Sequence, residues 1–266
     1  MNTKSPASYK KSSFGPAFFF LSGPQKRALA DYYAFCRLMD DIADEPCEAP
    51  LRELAQWEEE IGRIYGGEPT TNLGKALQRD VNEFNIAQDR FLLLIEGMRA
   101  DLEGKTYTSY EELDWYIYRV AVIVGKATLD ILDVRGERAD ALAQSLGTAV
   151  QLTNIVRDAY EDAKMGRVYL PSAPSAKEIL GGKKKRTLYA ALRDTAVRAH
   201  AQYRRAFALM PVFPRLKMLP CRIMGYVYEQ NLAKIEKRSF KFTGSIKLTA
   251  YEKLQRVCYA LYKTCF

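Results

Sequence analysis

The sequence predicts a single all-α domain, a helical bundle spanning residues 1–266. Three observations carry this. Apolar residues recur at steps of three and four along almost the whole chain. No run of alternating apolar and polar residues marks a half-buried strand, and no repeat period is visible. The helical stretches are separated by short segments containing Gly, Pro or charged residues, the connections expected between neighbours in a bundle.

The first helix is expected over 24–45, where Leu29, Tyr32, Tyr33, Cys36, Met39 and Ala43 share one side. Pro24 suits its first turn and Pro46 stops it. A second helix covers 51–65 and ends at Gly66-Gly67. Further helices are expected at 73–84, 88–102, 110–132 and 139–164. A charged break, Gly166-Arg167-Val168-Tyr169-Leu170-Pro171, comes next. A loop then leads to the basic run Lys183-Lys184-Lys185-Arg186. Helices resume at 187–210, 221–237 and 250–263. Segments 120–125 and 206–214 are apolar on every side, which predicts central, enclosed positions.

The 266 residues are 48% hydrophobic and 27% charged, ordinary for a soluble globular protein. A chain of this length buries roughly three quarters of its unfolded surface, enough for a deep apolar pocket without disulfides. Forty Lys and Arg against 32 Asp and Glu leave a net charge of +8. An anionic partner follows: a phosphorylated substrate, a lipid surface or nucleic acid. No nucleic-acid-binding module is recognisable, and acidic helix faces repel phosphates that lack metal, so nucleic acid is set aside. The five cysteines are odd in number and include no CxxC pair, which argues against a disulfide framework or structural zinc and for the cytoplasm. No uninterrupted apolar run is long enough to cross a membrane. His200 is the single histidine and is expected at the surface, so a histidine-dependent triad is ruled out.

Two acidic stripes carry the chemistry. In Tyr33-Ala-Phe-Cys-Arg37-Leu-Met-Asp40-Asp41-Ile-Ala-Asp44-Glu45, helical spacing aligns Tyr33, Arg37, Asp40 and Asp44, with Asp41 and Glu45 in the next row. Like charges four residues apart repel by roughly 0.2–0.5 kcal/mol per pair. The helix C-terminus is also the unfavourable end for carboxylates. Such a cluster calls for a counter-charge, and Mg²⁺ accepts carboxylate oxygens together with substrate phosphate oxygens. The second stripe, Gln151-Leu-Thr-Asn154-Ile-Val-Arg157-Asp158-Ala-Tyr-Glu-Asp162, puts Gln151, Asn154, Asp158 and Asp162 on one helix face. Arg157 stands beside them, and its planar fork suits a diphosphate. If the two helices face each other, two or three Mg²⁺ or Mn²⁺ ions fit between them with a diphosphate bridging.

These motifs resemble the two aspartate-rich motifs of the squalene/phytoene synthase family. The likeness extends through Gly166-Arg167-Val-Tyr169-Leu-Pro171 and covers residues 12–237. It implies an isoprenoid-synthase bundle around a central cavity, and the head-to-head joining of two prenyl diphosphates. Among bacterial members the motifs are most similar to presqualene diphosphate synthases, which implies farnesyl diphosphate as substrate. By resemblance, Asp40, Asp44, Asn154, Asp158 and Asp162 hold the metals, with Asp41 and Glu45 in support. Arg37, Arg157 and Arg167 contact diphosphate, with Gln151 beside them. Tyr33, Tyr116, Tyr169 and Tyr228 lie near the reacting carbons, and Ser13-Phe14 closes over a diphosphate. The chain departs from the family pattern at Val122, where a glycine is common and a valine is expected to narrow the pocket. It departs again at 242–246, where an Arg-Arg pair is common; Lys241 or Lys247 is the expected substitute. Geranylgeranyl diphosphate is the rival substrate, and bulky Phe18, Phe19 and Phe20 favour the shorter one. A non-catalytic relative that binds lipid or protein is the rival of another class, and intact acidic motifs argue against it. The basic run 183–186 is the expected point of contact with anionic lipid at the inner face of the membrane.

Overall fold

A computed structural model of the chain describes residues 21–46, 48–240 and 246–265. The expectations on Ser13, Phe14, Phe18–Phe20 and Lys241 lie outside these residues. Among the described residues all regular structure is helical. Helix α1 runs Gly23–Asp44, α2 Pro50–Gly66, α3 Asn72–Phe84, α4 Asp89–Leu102 and α5 Tyr110–Ile117. Then come α6 Ile123–Ile131, α7 Glu137–Lys164, α8 Ala176–Leu180, α9 Lys185–Leu209, α10 Leu219–Lys237 and α11 Ala250–Cys265.

The ends follow from local chemistry. Ser22 caps α1 in a reciprocal box with Gln25, and a proline sits in the first turn. Gly67, at φ 92°, closes α2 in the left-handed conformation that glycine adopts without a Cβ penalty. Helix α7 is the hub: it packs against α5, α6, α8, α9 and α10, and its buried residues run from Ala139 to Ala163. Its six alanines and Gly147 leave short side chains against which five neighbours pack.

The expected helix 110–132 is interrupted. Residues Tyr118–Val122 form a π turn between α5 and α6. Gly147 of α7 packs directly on this turn, so a Cβ there would come within 2.8 Å of the Val122 Cα. Val122 is itself fully buried, and its flanks Val120, Ala121 and Val124 line the cavity while it does not. The expectation that this valine narrows the pocket is therefore corrected: the extra residue of the π turn directs it into the packed core.

Segment 206–214 also needs correction. Ala206 and Met210 are enclosed, but the helix stops at Leu209, and Val212 in the following turn is exposed. Pro211 and Pro214 break the periodicity on which the expectation rested. His200 is half-buried and its Nε2 lies 2.9 Å from Glu236, joining α9 to α10.

Candidate active site

Helices α1, α4, α6, α7 and α10 enclose one cavity of about 430 Å³. Three of these helices are built alike. Leu29 and Cys36 of α1, Leu94 and Met98 of α4, and Leu142, Leu146 and Val150 of α7 form apolar wall. Each helix then ends in carboxylates that line the same cavity: Asp40 and Asp44 on α1, Asp101 on α4, Asp158 and Asp162 on α7. Three helix C-termini, each with its own partial negative charge, thus bring their acids together. The apolar steps keep each helix packed, and the acidic steps continue the same face outward to the mouth.

The links between these ends are specific. Arg167, just beyond α7, forms an ion pair with Asp44 and donates to the Ala43 carbonyl at 2.8 Å. Tyr169 donates to Asp101 Oδ1 at 2.8 Å, and Tyr116 donates to Oδ2 at 2.8 Å. The rings of Tyr116 and Tyr169 stack at 5.0 Å, with Tyr107 5.3 Å from Tyr116. Arg157 donates to Asp158 through Nε at 2.9 Å. Asn154 Nδ2 donates to Gln151 at 3.2 Å, and its Oδ1 is buried with no hydrogen-bond partner.

The electrostatics match this crowding. Burial raises the Asp40 carboxyl to about 7; Arg37 opposes the rise, and Asp44, Asp41 and Asp101 add to it. Asp162 reaches about 8, again chiefly through burial, with Asp158 adding and Arg167 opposing. Asp101 is raised by burial against the pull of its two tyrosine hydrogen bonds. The hydroxyls of Tyr33 and Tyr228 are also pushed up by burial, opposed in turn by Arg37 and Arg157.

These residues fit a divalent cation. A cluster of carboxylates short of positive charge, and an unpartnered buried amide oxygen aligned with them, are hard oxygen donors awaiting a hard ion. Among the described residues, no group of three or more His, Cys, Asp or Glu side chains already stands in metal-binding geometry.

Of the residues singled out from sequence, Tyr33, Asp40, Asp44, Tyr116, Gln151, Asn154, Arg157, Asp158, Asp162, Arg167, Tyr169 and Tyr228 all line the cavity. Arg37, Asp41 and Glu45 do not. Arg37 is 54% exposed and pairs with Asp41 at 2.8 Å and, more loosely, with Asp40 at 3.9 Å. Asp101 and Tyr107 were not foreseen. Asp101 is a lone acid, but its spacing of seven from Leu94 and three from Met98 places it on the apolar face of α4. Tyr107 lies in the loop beyond, where no periodicity applies.

The bundle has the isoprenoid-synthase fold. It superposes on the crystal structure of a dehydrosqualene synthase in complex with ligand with a TM-score of 0.83, at 26% identity, covering 98% of this chain and 95% of that one. A squalene synthase from Alicyclobacillus acidocaldarius gives a TM-score of 0.78 at 27% identity, covering 85% of this chain and 89% of that one. The family model for squalene/phytoene synthase matches residues 8–252. A presqualene diphosphate synthase of Rhodopseudomonas palustris is 34% identical over 254 residues, 90% of either chain. Phytoene synthase 3 of Zea mays is 34% identical over 250 residues, 88% of this chain and 59% of that one. The chain belongs to the squalene/phytoene synthase family.

Proposed function

We propose that the protein joins two farnesyl diphosphates head to head, giving presqualene diphosphate, inorganic diphosphate and a proton. The observation that carries this reading is the convergence of five carboxylates from three helix ends at the mouth of an otherwise apolar cavity. The likeness to bacterial presqualene diphosphate synthases over most of the chain supports the same substrate. The whole chain is read as one catalytic domain.

Asp40, Asp44, Asn154, Asp158 and Asp162 are assigned to Mg²⁺ or Mn²⁺, with Asp41 and Glu45 lending negative charge from outside the cavity. The bound metal supplies charge neutralisation for the departing diphosphate. Arg157 and Arg167, already held by Asp158 and Asp44, place fixed positive charge beside it. Gln151 fixes the orientation of the Asn154 amide. When the C1–O bond of one farnesyl group breaks, the 2,3 double bond of the other attacks C1, and loss of a proton closes a cyclopropane. The stacked faces of Tyr116 and Tyr169 offer π density to the carbocation, and the apolar walls keep water from it. The proton goes to the released diphosphate or to a tyrosine oxygen; Tyr116 and Tyr169 both have their own protons directed at Asp101.

Incubation of purified protein with farnesyl diphosphate and Mg²⁺, followed by mass spectrometry, tests the reading. A C30 cyclopropyl diphosphate is expected. Unchanged substrate, or equal turnover by an Asp40→Ala/Asp158→Ala variant, overturns it. The similarity to a maize phytoene synthase favours a second reading, the same condensation on geranylgeranyl diphosphate. Parallel incubations with the two substrates separate them. Among the described residues no helix is long and apolar enough to cross a membrane, and the reaction is assigned to the cytoplasm.

A further inference from the structure

Helix α11 has two faces. Val257 and Ala260 pack onto Leu219, Ile223 and Val227 of α10. The outer face carries Tyr251, Leu254, Cys258, Tyr262 and Cys265, spaced by three and four residues and all exposed. Arg215 donates to the Cys265 carbonyl at 3.3 Å, which brings the 210–217 turn beside this face. That turn adds Val212 and Leu216, the latter 74% exposed. A continuous strip of large apolar and tyrosine side chains on the surface of a folded domain marks an interaction site.

We propose that the outer face of α11 and the 210–217 turn dock the protein on an anionic lipid bilayer. Charge selects this occupant. Segments 210–217 and 246–265 carry six Lys or Arg, of which Lys217 is paired with Asp133 at 3.1 Å, and one carboxylate, Glu252. Glu252 is itself held by Lys234 at 2.8 Å. A second copy of the chain would set one such cationic face against another, which repels. An acidic headgroup layer neutralises the cations, while Leu and Tyr enter the interface between headgroup and acyl chain. The position also fits. Pro220, Cys221 and Met224, on the other side of α10, line the apolar cavity, so α10 and α11 together stand between its interior and the docking face. The basic run Lys183–Arg186 is elsewhere, at the start of α9, whose 25 residues put about 37 Å between it and the 210–217 turn. Lys184 there is engaged by Glu178 at 2.7 Å.

Flotation of the full chain with vesicles tests this without any measurement of turnover, so its outcome is separate from that of the reaction. Binding is expected to vesicles of phosphatidylcholine mixed with phosphatidylglycerol, to weaken with salt, and to be poor with phosphatidylcholine alone. A Tyr251→Ser/Leu254→Ser variant is expected to partition about tenfold more weakly. A Leu216→Ser variant is expected to weaken binding by less, and a Lys183→Gln/Lys184→Gln/Lys185→Gln/Arg186→Gln variant to bind as the parent does. Circular dichroism confirms that each variant is folded. Failure of the parent chain to float overturns the proposal. So does equal flotation of the α11 variant. A dimer seen by sedimentation that the α11 substitutions dissociate, with no vesicle binding, assigns the face to self-association instead.

Discussion

Two acidic regions of this molecule have opposite electrostatics. At the corner between α2 and α3, Glu60 is 2% exposed and fully provided for. Its Oε1 accepts from the Thr70 and Thr71 amides at 2.9 and 2.7 Å, and its Oε2 from the Thr70 hydroxyl at 2.7 Å and Arg63 at 2.8 Å. Burial pushes this carboxyl up, but those donors more than reverse it and leave it at about 2. At the cavity mouth, Asp40 and Asp162 stand at about 7 and about 8 because burial and neighbouring acids outweigh Arg37 and Arg167. The first carboxylate stabilises the fold as an anion. The second group is held by the fold at its own expense, as is expected where residues are kept for chemistry rather than stability.

That contrast is broken most forcefully at the cavity. Asp158→Ala or Asp40→Ala is expected to lower turnover on farnesyl diphosphate by about a thousandfold or more, measured in a steady-state assay. Asp162→Asn, assayed without metal, is expected to raise the denaturation midpoint at pH 8, since it removes a charge the fold disfavours. A lowered midpoint would show that this carboxylate is structural. At the other region the signs reverse. Glu60→Gln is expected to lose about 3 kcal/mol of stability in urea unfolding, with turnover per folded molecule retained. The pH dependence follows from the same shift. The folded carboxyl titrates near 2 and an unfolded one near 4.5, so its contribution is complete above 4.5 and fades as pH falls towards 2. The parent should therefore lose more stability across that window than Glu60→Gln does.

Smaller effects sharpen the comparison. Tyr116→Phe removes one of two hydrogen bonds to Asp101 and is expected to cost about 1 kcal/mol in stability, with a larger loss in turnover than in substrate affinity. Arg37→Gln breaks an exposed pair with Asp41 and is expected to change stability by less than about 0.5 kcal/mol. If it nonetheless raises KM sharply, Arg37 reaches the diphosphate from outside the cavity, as the family resemblance implies.

Most of the cavity was legible in the chain because its builders are periodic. Asp40 and Asp44 continue the apolar face of α1, and Asn154, Asp158 and Asp162 continue that of α7, so helical spacing alone aligns them. Arg37 shares the α1 stripe by the same arithmetic, yet faces outward. A helix face is wide, and which edge turns inward depends on the partner helix. Asp101 was missed because one acid makes no pattern. It matters only because Tyr116 and Tyr169, from other parts of the chain, donate to it.

The chain alone determined the long helices, the face each one buries and the alignment of acids along α1 and α7, because these depend on neighbours three or four residues away; the short α8, in the stretch expected to be a loop, was not among them. Tertiary packing decided the rest. It placed three helix C-termini together, and it turned residues 118–122 into a π turn against Gly147. It also left Glu60 with four donors and Asp162 with too few. Local spacing sets which way a side chain points along its helix; only the packed neighbours set how much charge it meets there.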